Sequence, residues 1–417
     1  MPPLLLIFSV FAFSSTDTLT LEQCTREAVE KYPLNAQARI FQQVYENKTG
    51  NLKTAHYPQI SLQATGSYQS DALKINLPIP GFKLDDFPKE RIQSYLEVIQ
   101  TVYNGGMISG AVKMEDKQFE LDKKNLEIEL RKIKAQVTQI YFACLLLNIK
   151  QQVLELTLIE LNERIRNLQS GMNAGVVLET ALNQLKAEKI RAEQKIIETK
   201  SEMKNIQVVM GIFLNRKLTD NVFWKIPDSE KLSEENSRRP ELFLLELQIQ
   251  KISTSMELIR AKRRPKLSLF AQGGYGMPAP LNFFNTEGDK YFITGFKFIW
   301  NVFDWGNFNR EKKILSLQQD LVNTQKEVLE KNISMQLAKD EEEIQKYKQL
   351  LVKDEELINL LAGNLKQIGA QMENGVITPT DYLTALNNEQ QARLNREVHR
   401  LLLIQAHENL RMDRGGL

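Results

Sequence analysis

Gln59-Ile-Ser-Leu-Gln-Ala-Thr-Gly-Ser-Tyr68 decides the fold, because Ile60, Leu62, Ala64, Gly66 and Tyr68 alternate strictly with Gln59, Ser61, Gln63, Thr65 and Ser67. A period of two with one polar face is the mark of a β-strand. The pattern returns after Pro265 as Leu267, Leu269, Ala271, Gly273 and Tyr275. Each stretch has a partner ahead of a long helical run: Ile92 to Tyr103 in one case, and Tyr291 to Phe303, rich in Phe292, Phe296, Phe298 and Trp300, in the other. The segments between partners are heavy in Pro, Gly and Asp and read as loops. Four strands of about 10 to 13 residues have the length a tilted strand needs to cross hydrocarbon. Open edges are not tolerated there, and the smallest single-chain barrels have about eight strands, so four close only in a barrel shared between chains. A water-soluble sheet shows the same alternation with its faces exchanged.

The chain is written twice. Pro33 and Pro240 each open a helix-like run, and Pro58 and Pro265 follow each of them after 25 residues. Gly106 and Gly306, Gly175 and Gly375, and Ala192 and Ala392 all lie 200 apart, so only the stretch from Pro58 to Gly106 is longer than its counterpart, by seven residues. A repeat this long reports a duplicated architecture. It favours one two-copy body, a wall or a tube, over two enzymes.

Outward from the strands run long heptads. Leu126, Leu130, Ile133, Val137, Ile140, Cys144, Leu147, Leu154, Leu158, Leu161, Ile165, Leu168 and Met172 follow a 4-3 spacing interrupted at Gln151. Copy two repeats the register with Ile344, Tyr347, Leu351, Ile358, Leu361, Leu365, Ile368 and Met372, with Asp354 at the position of Leu154. After the Gly175 turn a return helix is marked by Leu178, Leu182, Leu185, Ala192, Ile196, Met203, Ile206 and Met210. Each copy is therefore expected to be an antiparallel helical hairpin with a left-handed coiled-coil seam. About 65 residues from Gly106 to the turn give a helix near 100 Å at roughly 1.5 Å per residue.

Composition narrows the function. The 417 residues carry 54 basic and 52 acidic side chains, a net charge of +2, which leaves no electrostatic footprint for nucleic acid. The first 13 residues form an apolar run too short to span a bilayer, with small residues near Ser14, and read as an export signal over 1–14. No later stretch is read as a spanning helix. Cys144 falls on the apolar stripe and is expected to be a buried thiol.

Several short strings, in order, resemble the TolC-like outer-membrane efflux proteins. They are Leu19-Thr-Leu-Glu-Gln-Cys24, Tyr57-Pro58, Val102-Tyr-Asn-Gly-Gly106 with its echo Val302-Phe-Asp-Trp-Gly306, Ala174-Gly-Val176, Asn374-Gly-Val376, Leu185-Lys-Ala-Glu188 and Arg239-Pro-Glu-Leu242. The resemblance covers nearly the whole mature length. It implies a mixed α and β membrane protein, a homotrimer whose twelve strands make one outer-membrane barrel continued by a helical barrel through the periplasm. Domains follow as a first repeat over 15–211, an equatorial linker over 212–239 and a second repeat over 240–417. The implied function is the passive exit duct of a tripartite efflux or type I secretion system in a Gram-negative outer membrane. Its implied partners are outer-membrane lipid, a periplasmic adaptor and an inner-membrane pump.

The same resemblance supplies site candidates. Acidic residues after the second tip turn ring the periplasmic entrance in the family; Asp381 matches the first, whereas the second position is Thr384 and copy one has Ala181. Three symmetry-related carboxylates at a narrow mouth would favour cations. The turns around Gly175 and Val176 and around Gly375 and Val376 are the docking candidates for the adaptor. Gly105, Gly106 and Gly306 mark the hinges from strand to helix, where glycine supplies positive φ.

Enzyme chemistry finds little support. His399 and His407 stand eight apart, not at the i, i+4 spacing that puts two ligands on one helix face, so no metal or other cofactor is expected. No phosphate-binding Gly-Lys-Ser/Thr loop exists, and Glu341 to Glu343 read as a solvated helix face. The alternative from another class is an exported structural or adaptor coiled coil carrying a soluble β domain.

Overall fold

The computed structural model describes residues 18–71, 87–173, 178–219, 222–227, 239–282, 285–373 and 376–415. In chain order the elements are β1 (Thr18–Leu19), α1 (Leu21–Lys31), a 3-10 turn (Pro33–Ala36), α2 (Gln37–Thr54), β2 (Gln59–Tyr68), β3 (Glu90–Tyr103), α3 (Met107–Asn173), α4 (Glu179–Phe213), β4 (Phe223–Trp224), α5 (Pro240–Lys262), β5 (Lys266–Met277), β6 (Asp289–Ile299), α6 (Asn307–Glu373) and α7 (Pro379–Asp413). The duplication is literal: α3 and α6 span 67 residues each and α4 and α7 span 35 each, with every bound offset by 200. The chain divides into two compact units, and each draws on both copies.

One unit lies within residues 38–125 and 243–327. Its centre is an antiparallel sheet in the order β2-β3-β5-β6. Here the helices meet through polar side chains: Tyr45 donates to Asp116 (2.8 Å), Lys48 to Glu115 (3.1 Å) and Lys326 to Glu246 (3.0 Å). The sequence pattern carries β6 to Phe303, but the strand stops at Ile299. Its neighbour runs out at the same level: Lys266 pairs with Ile299, and Pro265 has no N–H with which to continue the ladder. Trp300 instead donates its indole N–H to the carbonyl of Arg263 (3.1 Å).

The other unit lies within residues 1–37, 126–242 and 328–417 and holds two cores. In the larger, Leu19, Leu21, Cys24 and Ala28 pack with Ile133, Val137, Tyr141, Cys144, Met210, Leu214, Trp224, Leu401 and Ile404. Cys144 is fully buried as the heptad implies, and burial pushes its thiol up to about 12. Tyr141, outside the 4-3 seam, is also fully buried. Its hydroxyl donates to the carbonyl of Lys225 and lies 2.9 Å from that of Leu19, and its ring meets Trp224 edge-on at 5.5 Å. One aromatic thereby clamps β1 and β4, which pair in parallel. One departure from the sequence reading is that α3 does contain an 18-residue window apolar enough to cross a membrane, 28% of it buried. Ile140 to Leu147 supply an uncharged apolar run of that helix, and Tyr141, Phe142, Cys144 and Leu145 of it pack into this core.

Along the seams, Leu126, Ile133, Val137, Cys144, Leu147, Leu161 and Leu168 are buried in α3, as are Ile344, Ile358 and Met372 in α6. Asp354 is buried in the place of Leu154 because His399 Nδ1 lies 2.6 Å from its carboxylate. Leu178 departs from the expected seam: it is the residue ahead of α4 and is 76% exposed.

Candidate functional site

Register settles which side chains share a face of the sheet. Ile60, Val98, Ala271 and Thr294 stand in one row and Leu62, Leu96, Gly273 and Phe292 in the next; Leu269 with Phe296 and Leu267 with Phe298 extend the same face. These side chains are uncovered in the chain: Leu62 is 74% exposed, Phe292 66% and Phe296 71%. A contiguous apolar surface of this kind is not what water solvates in a monomer. A bulge at Val102 shifts the register so that Tyr103 pairs with Leu267 and rejoins the apolar face.

The opposite face is polar and internally bonded. Gln63 and Gln272 both donate to the Glu97 carboxylate, at 2.9 and 2.6 Å, so one acid is held by the strands on either side of β3. Tyr95 donates to Gln63 (2.7 Å) and Gln93 to the Tyr291 hydroxyl (2.6 Å). The glycines of Gly273-Gly-Tyr-Gly276 receive neighbours: a Cβ on Gly274 would fall 2.5 Å from that of Tyr95.

Where strand becomes helix, the two copies solve one problem alike. Gly105, Gly106 and Gly306 have φ of 69°, 88° and 74°, a region that favours glycine. Asn104 accepts from the N–H of Gly106 (3.0 Å), and Asp304 accepts from those of Gly306 and Phe308 (3.1 Å each), satisfying amides that the first turn of a helix leaves free. Trp305 also takes positive φ, 54°, where copy one has Gly105.

At the hairpin ends, Gly175, Val176 and Gly375 lie outside the described residues, whereas Val376 is described, 71% exposed, with its N–H donating to Gln371 (2.9 Å). Asp381 is exposed and occupied. It is the third residue of α7, accepts from the Thr378 hydroxyl (2.7 Å) and N–H (3.1 Å), and gives its own N–H to the Thr378 hydroxyl (3.3 Å), a complete capping box. Those bonds from Thr378 hold its carboxyl below the ordinary range. Thr384 is exposed and returns its hydroxyl to the carbonyl of Thr380 (2.9 Å).

Next to Asp381 the structure places a group that the sequence reading passed over. Tyr382 is fully buried, donates to Glu160 (2.9 Å), accepts from Arg164 Nε (3.0 Å), and carries the Arg164 guanidinium over its ring at 5.0 Å. Burial, then the Glu160 charge, pushes the phenol up to about 12. Gly369 leaves room for this arrangement, since a Cβ there would meet Arg164 Nη2 at 2.9 Å. A signal was available: copy one has Leu182 at the matching position, so a hydroxyl had been introduced into a core site.

Residues 26–209 match the sequence model of the family described as outer membrane efflux protein. No curated protein matches the chain significantly in sequence. Among solved structures, the chain is similar to the outer membrane protein VceC from Vibrio cholerae, at TM-score 0.69 and 13% identity over 95% of this chain and 96% of that one. The Campylobacter jejuni outer membrane channel CmeC matches at TM-score 0.68 and 15% identity over 95% and 85%. The Neisseria gonorrhoeae channel MtrE, solved in its open state, matches at 0.66 and 15% over 95% and 89%. Identities this low speak for the fold, and the sequence model speaks for the family. The first copy thus carries the sequence pattern of the outer membrane efflux protein family, and over nearly its whole length the chain has a fold similar to that of outer-membrane efflux channels.

Proposed function

We propose that three copies of this chain form the exit duct of a tripartite efflux or type I secretion system, set in a Gram-negative outer membrane and reaching into the periplasm. One observation carries the reading: a four-stranded sheet with an uncovered apolar face, a bonded polar face and two outer strands that, among the described residues, are paired on one side only. Lipid suits the first, water the second, and neighbouring protomers the third. Twelve strands would close what four leave open, and the heptad hairpins would line up beneath as a helical barrel. The duct is passive; a pump docked through an adaptor supplies the energy. Repeats over 15–211 and 240–417, with a linker over 212–239 and a leader over 1–14, remain our division of the chain.

The adaptor is assigned to the tip turns around Gly175, Val176, Gly375 and Val376, and the entrance to Asp381. Its carboxylate can cap α7 and still face solvent, so the two roles are compatible. Asp381→Asn keeps an acceptor for Thr378 but removes the charge, whereas Thr378→Ala keeps the charge and weakens the cap. A gate role predicts that only Asp381→Asn changes cation preference in planar bilayers; equal effects of the two would reduce Asp381 to a cap. The duct itself is tested by extraction and recording. Purified protein should need detergent, run as a trimer and give discrete conductance steps. Release by salt alone as a monomer would instead favour an exported coiled coil with a soluble sheet.

A further inference from the structure

The polar face of the sheet carries its charges unevenly. Arg91 and Asp289 stand toward the loops, and Lys297 and Lys266 toward the helices. Between the rows of Asp289 and Lys297 lie three rows: Gln63, Tyr95, Gly274 and Tyr291; Ser61, Glu97, Gln272 and Ile293; and Gln59, Ile99, Phe270 and Gly295. Glu97 is the one acid or base among them. Its two hydrogen-bond partners are neutral amides, and it forms no ion pair with a described residue. A glutamine could continue the same ladder, so the bonding does not require a negative charge. The charge is fixed in place and left uncompensated.

We infer that Glu97 sets the ion preference of the pore at mid-sheet, with Lys297 opposing it on the helix side. This rests on the duct proposed above, in which three copies of each side chain would ring the water-filled lumen. Lumen-facing charges tune selectivity in membrane barrels. A fixed carboxylate ring raises the local concentration of cations by its potential, and salt screens it over about 10 Å at 0.1 M.

The test is the reversal potential of purified protein in a planar bilayer under a KCl gradient. Glu97→Gln should lower the K⁺ to Cl⁻ permeability ratio about twofold near 0.1 M salt, and more in dilute salt. Glu97→Asp, which keeps the charge, should hold the parental value, and Lys297→Gln should move the ratio the other way. Conducting Glu97→Gln and Lys297→Gln pores with parental reversal potentials would overturn the inference and leave the duct standing. A parental protein that gives no steps, with Asp381→Asn silent too, would overturn the duct and this inference with it.

Discussion

At the start of α4, Leu178 makes no side-chain bond to the amides behind it; at the start of α7, 200 residues on, Thr378 closes a capping box with Asp381. One position into the next turn, Leu182 and Tyr382 are both buried in the same cluster, yet only the tyrosine brings hydrogen bonds, from Arg164 and to Glu160. The frames of the two hairpins are interchangeable in length and register. Their ends are not: duplication kept the lattice and let one tip acquire polar chemistry that fixes where its helix begins. Apolar packing tolerates either residue, whereas a bonded tyrosine demands particular partners.

Five variants would break or sharpen that contrast. Tyr382→Ala should cost about 4 kcal/mol and Leu182→Ala about 3 in denaturant unfolding; equal losses would mean that the polar bonds add nothing. Tyr382→Phe isolates them, with an expected loss of about 1.5 kcal/mol, read best as lost hydrogen-exchange protection around α7. Thr378→Ala should cost about 1 kcal/mol at the opening of α7, while Leu178→Thr with Ala181→Asp should give α4 a smaller gain of the same kind.

The cap on α7 depends on pH. Because the folded Asp381 carboxyl titrates below its unfolded value, its contribution is complete above about pH 4 and is lost as pH falls through the lower folded value. Protection of the α7 amides should therefore fall in strong acid, before that of the α4 amides, whose matching residue is Ala181. Parallel acid profiles for the two helices would show that the cap carries no linkage.

Much of this was legible without coordinates, because the signals were periodic. Heptads named the buried faces of α3 and α6, alternation named β2 and β5, and the 200-residue offset tied the copies together. What escaped was non-periodic. Tyr141 clamps two backbone carbonyls, of Leu19 and Lys225, and a carbonyl leaves no trace in residue identity. Glu160 and Arg164 stand four apart on α3, the spacing of an ordinary helix pair, and their partner is more than 200 residues away. The end of β6 escaped because aromatic side chains continue past Ile299, while the limit comes from Pro265 on the neighbouring strand. Asp381 was found through resemblance, but its first structural duty, the cap, is written in Thr378-Pro-Thr-Asp381 itself.

β2 and β6 are the outer strands of the sheet, and each presents a row of backbone groups that no described strand pairs. If copies share a barrel as proposed, each outer strand is the template for one neighbour, and a fault in either strand breaks the seam it shares and opens the whole ring. Genetically this predicts dominance. If the duct is the trimer proposed above, altered and intact copies made in equal amounts and mixing at random leave only about one trimer in eight wholly intact, so an allele that breaks β2 or β6 should poison the function of its wild-type partner, whereas one that prevents folding outright should be recessive.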